Sequence, residues 1–568
     1  MKDGAYLERG DWPWLASLLV IGCLTLGVFA LTAYRFTGGQ GGVPLDDAWI
    51  HFQFARNLAR GDGLSFNPGH PTSGSTAPLW TLLLAAMYRA GGGLPADGPA
   101  AGQLLSAACF LAALVTTYAL GKRLMGNRWA AWLAGAVVAT NGRMVWAGLS
   151  ALETCLFATL SLLAISAHLS DRAAHCYRPR TAALFGLAAL ARPEGYLLFV
   201  LAMADSAWSS WHRPERAGTR PPPQPSPMMR GGSPPAPPVH HDGAHAGRTG
   251  PKEPMLDRRP TQHRLFTAVL VPIVIFAAVV LPYLIFSLRT SGHLLPNTYH
   301  AKAVIDFRPD LVFLSGTSQC LILDNFLLLP FFVLGLGVLL HRAPLLSLWS
   351  VGLPLGYAFL HAIPYQHGRY LMPLIPCNAV IGVVGLLEAR HLTPWPLSLR
   401  GKGESPLPEA GRGWGRGLAA LVSILVVAGT AWRLPTMASK YAWNVDNINK
   451  MHVALGRWVM EHTPPDAVLA LNDIGAITYI SERPVVDLAG LVTPEVVPLL
   501  RAPDRDSLLA DFMAERDVQY VIIFPDWFPD LAARRDLLEP VHQVTLEHRT
   551  VAGGETMVVY RAHWHESD

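Results

Sequence analysis

Blocks of about twenty apolar residues recur through most of this chain, the first running from Trp14 to Leu31. A helix rises about 1.5 Å per residue, so a block of this length crosses the roughly 30 Å hydrocarbon layer of a bilayer. A chain of 568 residues that is 51% hydrophobic and 15% charged is therefore read as a polytopic α-helical membrane protein and not as a large soluble core. Eleven apolar segments are expected, at about 12–34, 77–92, 100–120, 129–149, 151–169, 181–206, 264–287, 322–341, 345–363, 370–388 and 416–433. Two are irregular. The segment 77–92 is short and reads as a dip, and 181–206 is broken at Arg192-Pro193-Glu194-Gly195 and reads as a hairpin. That choice puts Lys122, Arg123 and Arg128 in the cytoplasm, as the positive-inside rule prefers.

The same parity sorts the loops. Residues 45–80, 288–320, 361–369 and everything after 433 fall on one outer side. Residues 213–263 and 391–415, rich in Pro, Gly and Arg and without apolar periodicity, fall in the cytoplasm and are expected to be disordered. A net charge of +4 without a basic-aromatic module excludes nucleic acid as a partner. The six cysteines show neither metal spacing nor a disulfide framework.

The stretch 45–80 carries the most chemistry. Asp46 and Asp47 open an amphipathic segment that puts Asp46, Gln53, Asn57 and Arg60 on one helical stripe. One aspartate suffices as a helix cap; two neighbours at a membrane interface repel each other and call for a proton, a cation or a metal. A turn-rich loop follows, in which Asn67, Thr72, Ser73, Ser75 and Thr76 offer hydrogen bonds to a ligand. Glu153, Arg192 and Glu194 lie in or beside apolar helices, where they either hold helices together as a structural pair or have a task. Lys302, Arg369, His361 and His367 flank the same outer side, where Lys and Arg either snorkel to lipid headgroups or bind phosphate.

Four pieces of 45–80 together resemble the first outer loop of GT-C fold membrane glycosyltransferases. They are Asp46-Asp47-Ala48-Trp49-Ile50, Ala55-Arg56-Asn57, Gly61-Asp62-Gly63-Leu64-Ser65-Phe66-Asn67-Pro68-Gly69 and Ser75-Thr76-Ala77-Pro78-Leu79-Trp80. The match is greatest to the mycobacterial-type terminal arabinofuranosyltransferases, which use a polyprenyl-phosphate sugar donor. Leu295-Pro296-Asn297-Thr298-Tyr299-His300-Ala301-Lys302 and Gly368-Arg369-Tyr370-Leu371-Met372-Pro373 look like further elements of that family, with His300 where an aromatic is usual. So do the runs 148–154, which carries two extra residues, and 191–195. The resemblance covers most of 14–390.

It implies an inverting GT-C enzyme of a bacterial plasma membrane, with its site on the extracytoplasmic face. A sugar would pass from a polyprenyl-phosphate donor to a hydroxyl of a cell-envelope glycan or glycolipid. Asp46 or Asp47 would be the catalytic base, and the sequence does not choose between them. Arg56, Asn297, Tyr299, Lys302, His367 and Arg369 would bind donor phosphate or substrate. No cofactor is required, and a divalent cation at the aspartates is compatible with the pattern. A multi-span lipid or glycan transporter and a non-catalytic scaffold are the other classes such a chain could belong to. Neither would need paired carboxylates on an outer loop.

The tail 434–568 changes to short alternating runs. Strands are expected at 467–471, 484–488, 518–524, 541–546 and 555–560, with helices at 447–461, 494–500 and 507–515, as an extracytoplasmic α/β domain. Asp473 and Asp487 sit at strand ends, where they cap turns or contact an acceptor or a cation.

Overall fold

The computed structural model describes residues 7–91, 98–174, 176–211, 269–302, 308–360, 366–392 and 409–564. The first helix, α1 (Trp12–Phe36), has 25 residues, a length of about 37 Å, and leaves Val20, Leu24 and Val28 exposed on the face a bilayer would cover. Its N-terminal end is tied to two later helices. The buried Asp11 accepts from Tyr118 Oη, Lys122 Nζ and Arg128 Nε at 2.9, 2.6 and 2.9 Å.

Six described helices are long and apolar enough to cross a membrane, or seven if the pair Leu311–Asn325 and Leu329–Arg342, bent by 107°, is one span. Shorter apolar helices stand at Arg128–Ala139, Pro179–Ala191 and Pro344–Phe359. The region 77–92 forms one thirteen-residue helix, Pro78–Ala90, and 181–206 is interrupted between Ala191 and Glu194. The expected single segment 129–149 is instead two helices. Thr140 closes the first, and Asn141 caps the second, Gly142–Gly148, by accepting from the Arg143 and Met144 amides. Residues 213–263 lie outside the described residues. Of 391–415, residues 409–415 are helical, because the helix Glu409–Ala431 begins earlier than hydropathy alone suggests.

Membrane helices approach closely where small residues meet. Gly335 and Gly385 face each other between Leu329–Arg342 and Ile375–Leu392, and a Cβ on Gly385 would sit 1.8 Å from the Phe331 carbonyl oxygen. Gly385→Ala should therefore force these backbones apart, at about 1–3 kcal/mol or more. A lowered unfolding temperature in detergent would report it, and an unchanged one would contradict this packing.

The tail is an α/β unit whose sheet runs in the order β2-β1-β3-β5-β4: β1 is Leu469–Leu471, β2 Val485–Asp487, β3 Tyr520–Ile523, β4 Leu538–Thr545 and β5 Thr556–Ala562. The first three strands are parallel and the last two antiparallel. All five match expected strands. A helix at Gly475–Ser481 was not expected.

The helix α2 (Asp47–Arg60) is the wedge between the two parts. Trp49, Phe52 and Ala55 are buried in the core of the membrane bundle, while Phe54, with Phe66 of the following loop, packs among Leu455, Leu469 and Ile477 of the tail. Successive side chains thus serve different cores, because a helix turns about 100° per residue.

Candidate active site

Two faces of α2 organise the polar groups. Residues 46, 53, 57 and 60 share one face, where Asp46 and Arg60 meet the tail and Gln53 and Asn57 meet the following loop. Asp46 precedes the helix but makes no cap hydrogen bond to it. Instead its Oδ2 and Oδ1 accept the Gly475 and Ala476 amides at 2.8 and 2.7 Å, so it caps the helix Gly475–Ser481 some 430 residues away. Gln53 and Asn57 donate to the Phe66 carbonyl at 2.9 and 2.7 Å, and Arg60 reaches Glu482 at 3.3 Å. Asn67 exchanges two hydrogen bonds with the Val485 backbone and so extends the edge of β2. Of the loop groups expected to face a ligand, Asn67 is used at this seam, while Ser73 bonds Ser291 and Ser75 bonds Thr81.

Asp47 and His51, four residues apart, face the other way. Asp47 Oδ2 lies 2.6 Å from Arg369 Nη2, with Asp47 about one-third exposed and Arg369 buried. His51 Nε2 is 3.5 Å from Glu153 Oε2. Glu153 Oε1 accepts from Arg192 Nη1 at 2.7 Å, and Arg192 donates to Glu194 from Nε and Nη2 at 2.9 and 2.6 Å. Tyr357 Oη donates to Glu194, and both Arg192 and Arg369 lie over the Tyr370 ring, at 5.6 and 5.2 Å. Asp47, His51, Glu153, Arg192, Glu194 and Arg369 thus form one buried, charged row that opens at Asp47. Burial pushes His51 below the usual imidazole range against the opposing pull of Glu153 and Asp47, which favours its neutral form.

Expected site residues divide accordingly. Asp47 and Arg369 come together. Asn297 is 2% exposed at the start of the helix Asn297–Lys302, and neither amide atom has a partner among the described residues. Its neighbour Thr298 donates to the Gly74 carbonyl at 2.9 Å, which docks this helix on the loop after α2. Tyr299 lies in the same helix, half-buried. The side chain of Lys302 and the whole of His361 lie outside the described residues. Arg56 is not at this row: its Nη1 donates to Glu482 and to the Tyr479 carbonyl, each at 2.8 Å, and its guanidinium lies 4.2 Å over the Tyr479 ring. It belongs to the seam. His367 also turns away, with Nε2 3.1 Å from the Asn444 amide.

In the tail, Asp487 caps a turn by accepting the Ala489 and Val492 amides, each at 2.8 Å. Asp473 instead pairs with His452 at 2.9 Å, beneath Asp46. Among the described residues no three His, Cys, Asp or Glu side chains converge as metal ligands would. His51 was missed in the sequence, although its i, i+4 spacing from Asp47 was the available signal.

Burial pushes the Asp46 carboxyl up to about 6; Asp473 adds to this, while His452 and the two amides oppose it. An acid whose folded pKa lies above its unfolded value holds its proton more tightly when folded. Its contribution to stability therefore grows as pH falls from about 6 toward 3.8 and is absent above that window. Hydrogen exchange of residues 475–481 should accordingly be better protected at mildly acidic pH than at about pH 8. Asp46→Asn should flatten that dependence, and an equally steep profile in the variant would assign it to other groups.

By architecture the chain is a multi-pass membrane protein of the GT-C fold with a small C-terminal sheet domain. It is similar in structure to ArnT from Cupriavidus metallidurans in the apo state, with a TM-score of 0.56 and 13% identity over 95% of this chain and 97% of that one. The same enzyme bound to undecaprenyl phosphate superposes with a TM-score of 0.54 and 13% identity, covering 96% and 98%. The archaeal oligosaccharyltransferase AglB from Archaeoglobus fulgidus, in complex with an inhibitory peptide and a dolichol-phosphate, gives 0.53 and 13% identity, covering 94% of this chain and 74% of that one. Residues 443–565 match a family described as a domain of unknown function (DUF8728). No curated protein matches the chain in sequence.

Proposed function

We propose that this chain is an inverting glycosyltransferase that moves a sugar from a polyprenyl-phosphate donor to a hydroxyl of an extracytoplasmic cell-envelope glycan or glycolipid. Asp47 is the general base. It takes the acceptor's proton as the hydroxyl attacks the anomeric carbon, the bond to the lipid phosphate breaks, and the phosphate leaves as an anion. One displacement inverts the centre and needs no covalent intermediate. The observation that carries the reading is the ion pair of Asp47 with Arg369 at the mouth of a buried charged row. A guanidinium held there can exchange the carboxylate for a donor phosphate, which frees the base as the leaving group is neutralised. Glu153 and Arg192 fix the row behind it. Neighbours with the same fold bind undecaprenyl phosphate and dolichol-phosphate, which favours a lipid-phosphate donor. The bundle end bearing Lys122, Arg123 and Arg128 is then cytoplasmic, in a bacterial plasma membrane.

Purified protein given a panel of radiolabelled polyprenyl-phosphate sugars, arabinofuranosyl among them, should transfer one to an envelope acceptor. Arg369→Ala should raise the donor KM about 10–100-fold, the worth of one hydrogen bond to a charged group. Lipid movement between leaflets without transfer of any sugar would replace this reading with that of a flippase.

A further inference from the structure

We propose a second site, on the far side of the turn that carries Arg369, that binds the phosphate of a lipid. Gln366, His367 and Gly368 take left-handed φ values of +52°, +64° and +67°, which turn His367 away from the Asp47 row. There His367 lines a cavity of about 170 Å³ together with Arg143, Asp324, Thr430, Arg433 and Lys440. The cavity has an excess of positive charge. Arg143 is neutralised by Asp324 at 2.6 Å and donates to the His367 and Gly368 carbonyls, each at 2.8 Å. Arg433 donates to the Leu323 carbonyl at 3.3 Å and shares the field of the Asp324 carboxylate that pairs with Arg143, while Lys440 is exposed and makes no ion pair among the described residues. Arg433, Met437 and Lys440 are spaced as one stripe of a helix and all line the cavity. Arg143, Arg433 and Lys440 against the single Asp324 carboxylate leave an excess of positive charge around this half-open space, which favours an anion.

The anion's carrier follows from what adjoins it. Asn141 and Asp324 line both this cavity and a neighbouring groove, whose other walls include Leu328, Phe332 and Ile375. That groove lies among apolar helices, beside the 107° bend between Leu311–Asn325 and Leu329–Arg342. A basic cavity that shares two wall residues with a small groove among apolar helices fits a phosphate head whose hydrocarbon tail runs along those helices. Binding here does not depend on the transfer reaction.

The test uses the full chain in nanodiscs of neutral phosphatidylcholine, with farnesyl phosphate as probe, in an Arg369→Ala background that weakens the donor site. Farnesyl phosphate should bind, and farnesol should not. Arg433→Gln with Lys440→Gln should weaken binding at least about tenfold. Arg433→Lys with Lys440→Arg, which keeps both charges, should retain it and so separates lost charge from lost folding. Leu328→Gln should weaken farnesyl phosphate and leave inorganic phosphate unaffected. Unchanged affinity in the double Gln variant would overturn the site. Inorganic phosphate binding as tightly as farnesyl phosphate would overturn its assignment to a lipid.

Discussion

Asp47→Asn is expected to lower the transfer rate by about 10²–10⁴-fold, the usual worth of a general base, with donor binding retained. The substitution keeps the shape of the side chain and one acceptor oxygen but cannot take a proton. A second effect has to be separated from the first. Removing one member of a buried ion pair can cost about 3–5 kcal/mol, because the other charge is left without a partner. Here the cost is smaller, because Asp47 is about one-third exposed and water can reach Arg369 through it. Turnover at saturating donor and thermal unfolding should therefore be measured on the same samples. A fall in turnover with nearly unchanged unfolding assigns the base to Asp47. Turnover near the wild-type value would remove Asp47 from the mechanism, whatever the stability does.

The second large effect belongs to the seam. A Cβ on Gly475 would lie 2.3 Å from the Asp46 carbonyl oxygen and 2.6 Å from its Oδ2, so Gly475→Ala cannot keep the present contact. The obstacle is backbone, and no side-chain rotation relieves it. The overlap and the weakening of two charge-assisted hydrogen bonds together should cost about 3 kcal/mol or more. Asp46→Asn should be milder, about 1–3 kcal/mol, because one of the two amide donors would then face an NH₂ group. Limited proteolysis is the readout, with cleavage in the tail expected to speed up in the order wild type, Asp46→Asn, Gly475→Ala. A tail as resistant in Gly475→Ala as in the wild type would show that the seam does not hold the two parts together.

These two experiments separate residues that the sequence leaves equivalent. Adjacent positions at a helix start point about 100° apart, and only the partners reveal which way each points. The partner of Asp46 is a backbone amide pair on a helix of seven residues, Gly475–Ser481, too short to give a periodic signal. The partner of Asp47 lies in the Arg-Tyr-Leu stretch that motif reading did find. The stripe 46, 53, 57 and 60 was legible as a stripe, and its purpose was not, because Asp46 and Arg60 meet residues more than 400 positions later while Gln53 and Asn57 hold the Phe66 carbonyl of the loop. The apolar blocks and the five strands were readable because periodicity is local. The break at 326–328 was not, since Phe326, Leu327 and Leu328 continue the apolar run, whereas the polar run Thr140-Asn141-Gly142-Arg143 did mark the other break and the single segment expected at 129–149 passed over it. Arg56 illustrates the limit of a motif: its place in the pattern suggested phosphate, while the Glu482 carboxylate and the Tyr479 ring now hold it.

The clasp between Asp46 and the Gly475–Ala476 amides also sets a clock for biosynthesis. The two ends are 429 and 430 residues apart. At about 5–20 residues per second, the ribosome reaches the Gly475–Ala476 end on the order of 20–90 s after the Asp46 end. During that interval the face of α2 that bears Phe54 lacks its partner core, and only the bundle contacts of Trp49 and Phe52 and the Arg369 pair hold the helix. The nascent chain is therefore expected to be inert toward its substrates until the tail has reached the same side of the membrane and folded. Folding of the tail against α2 is then a step of maturation in its own right.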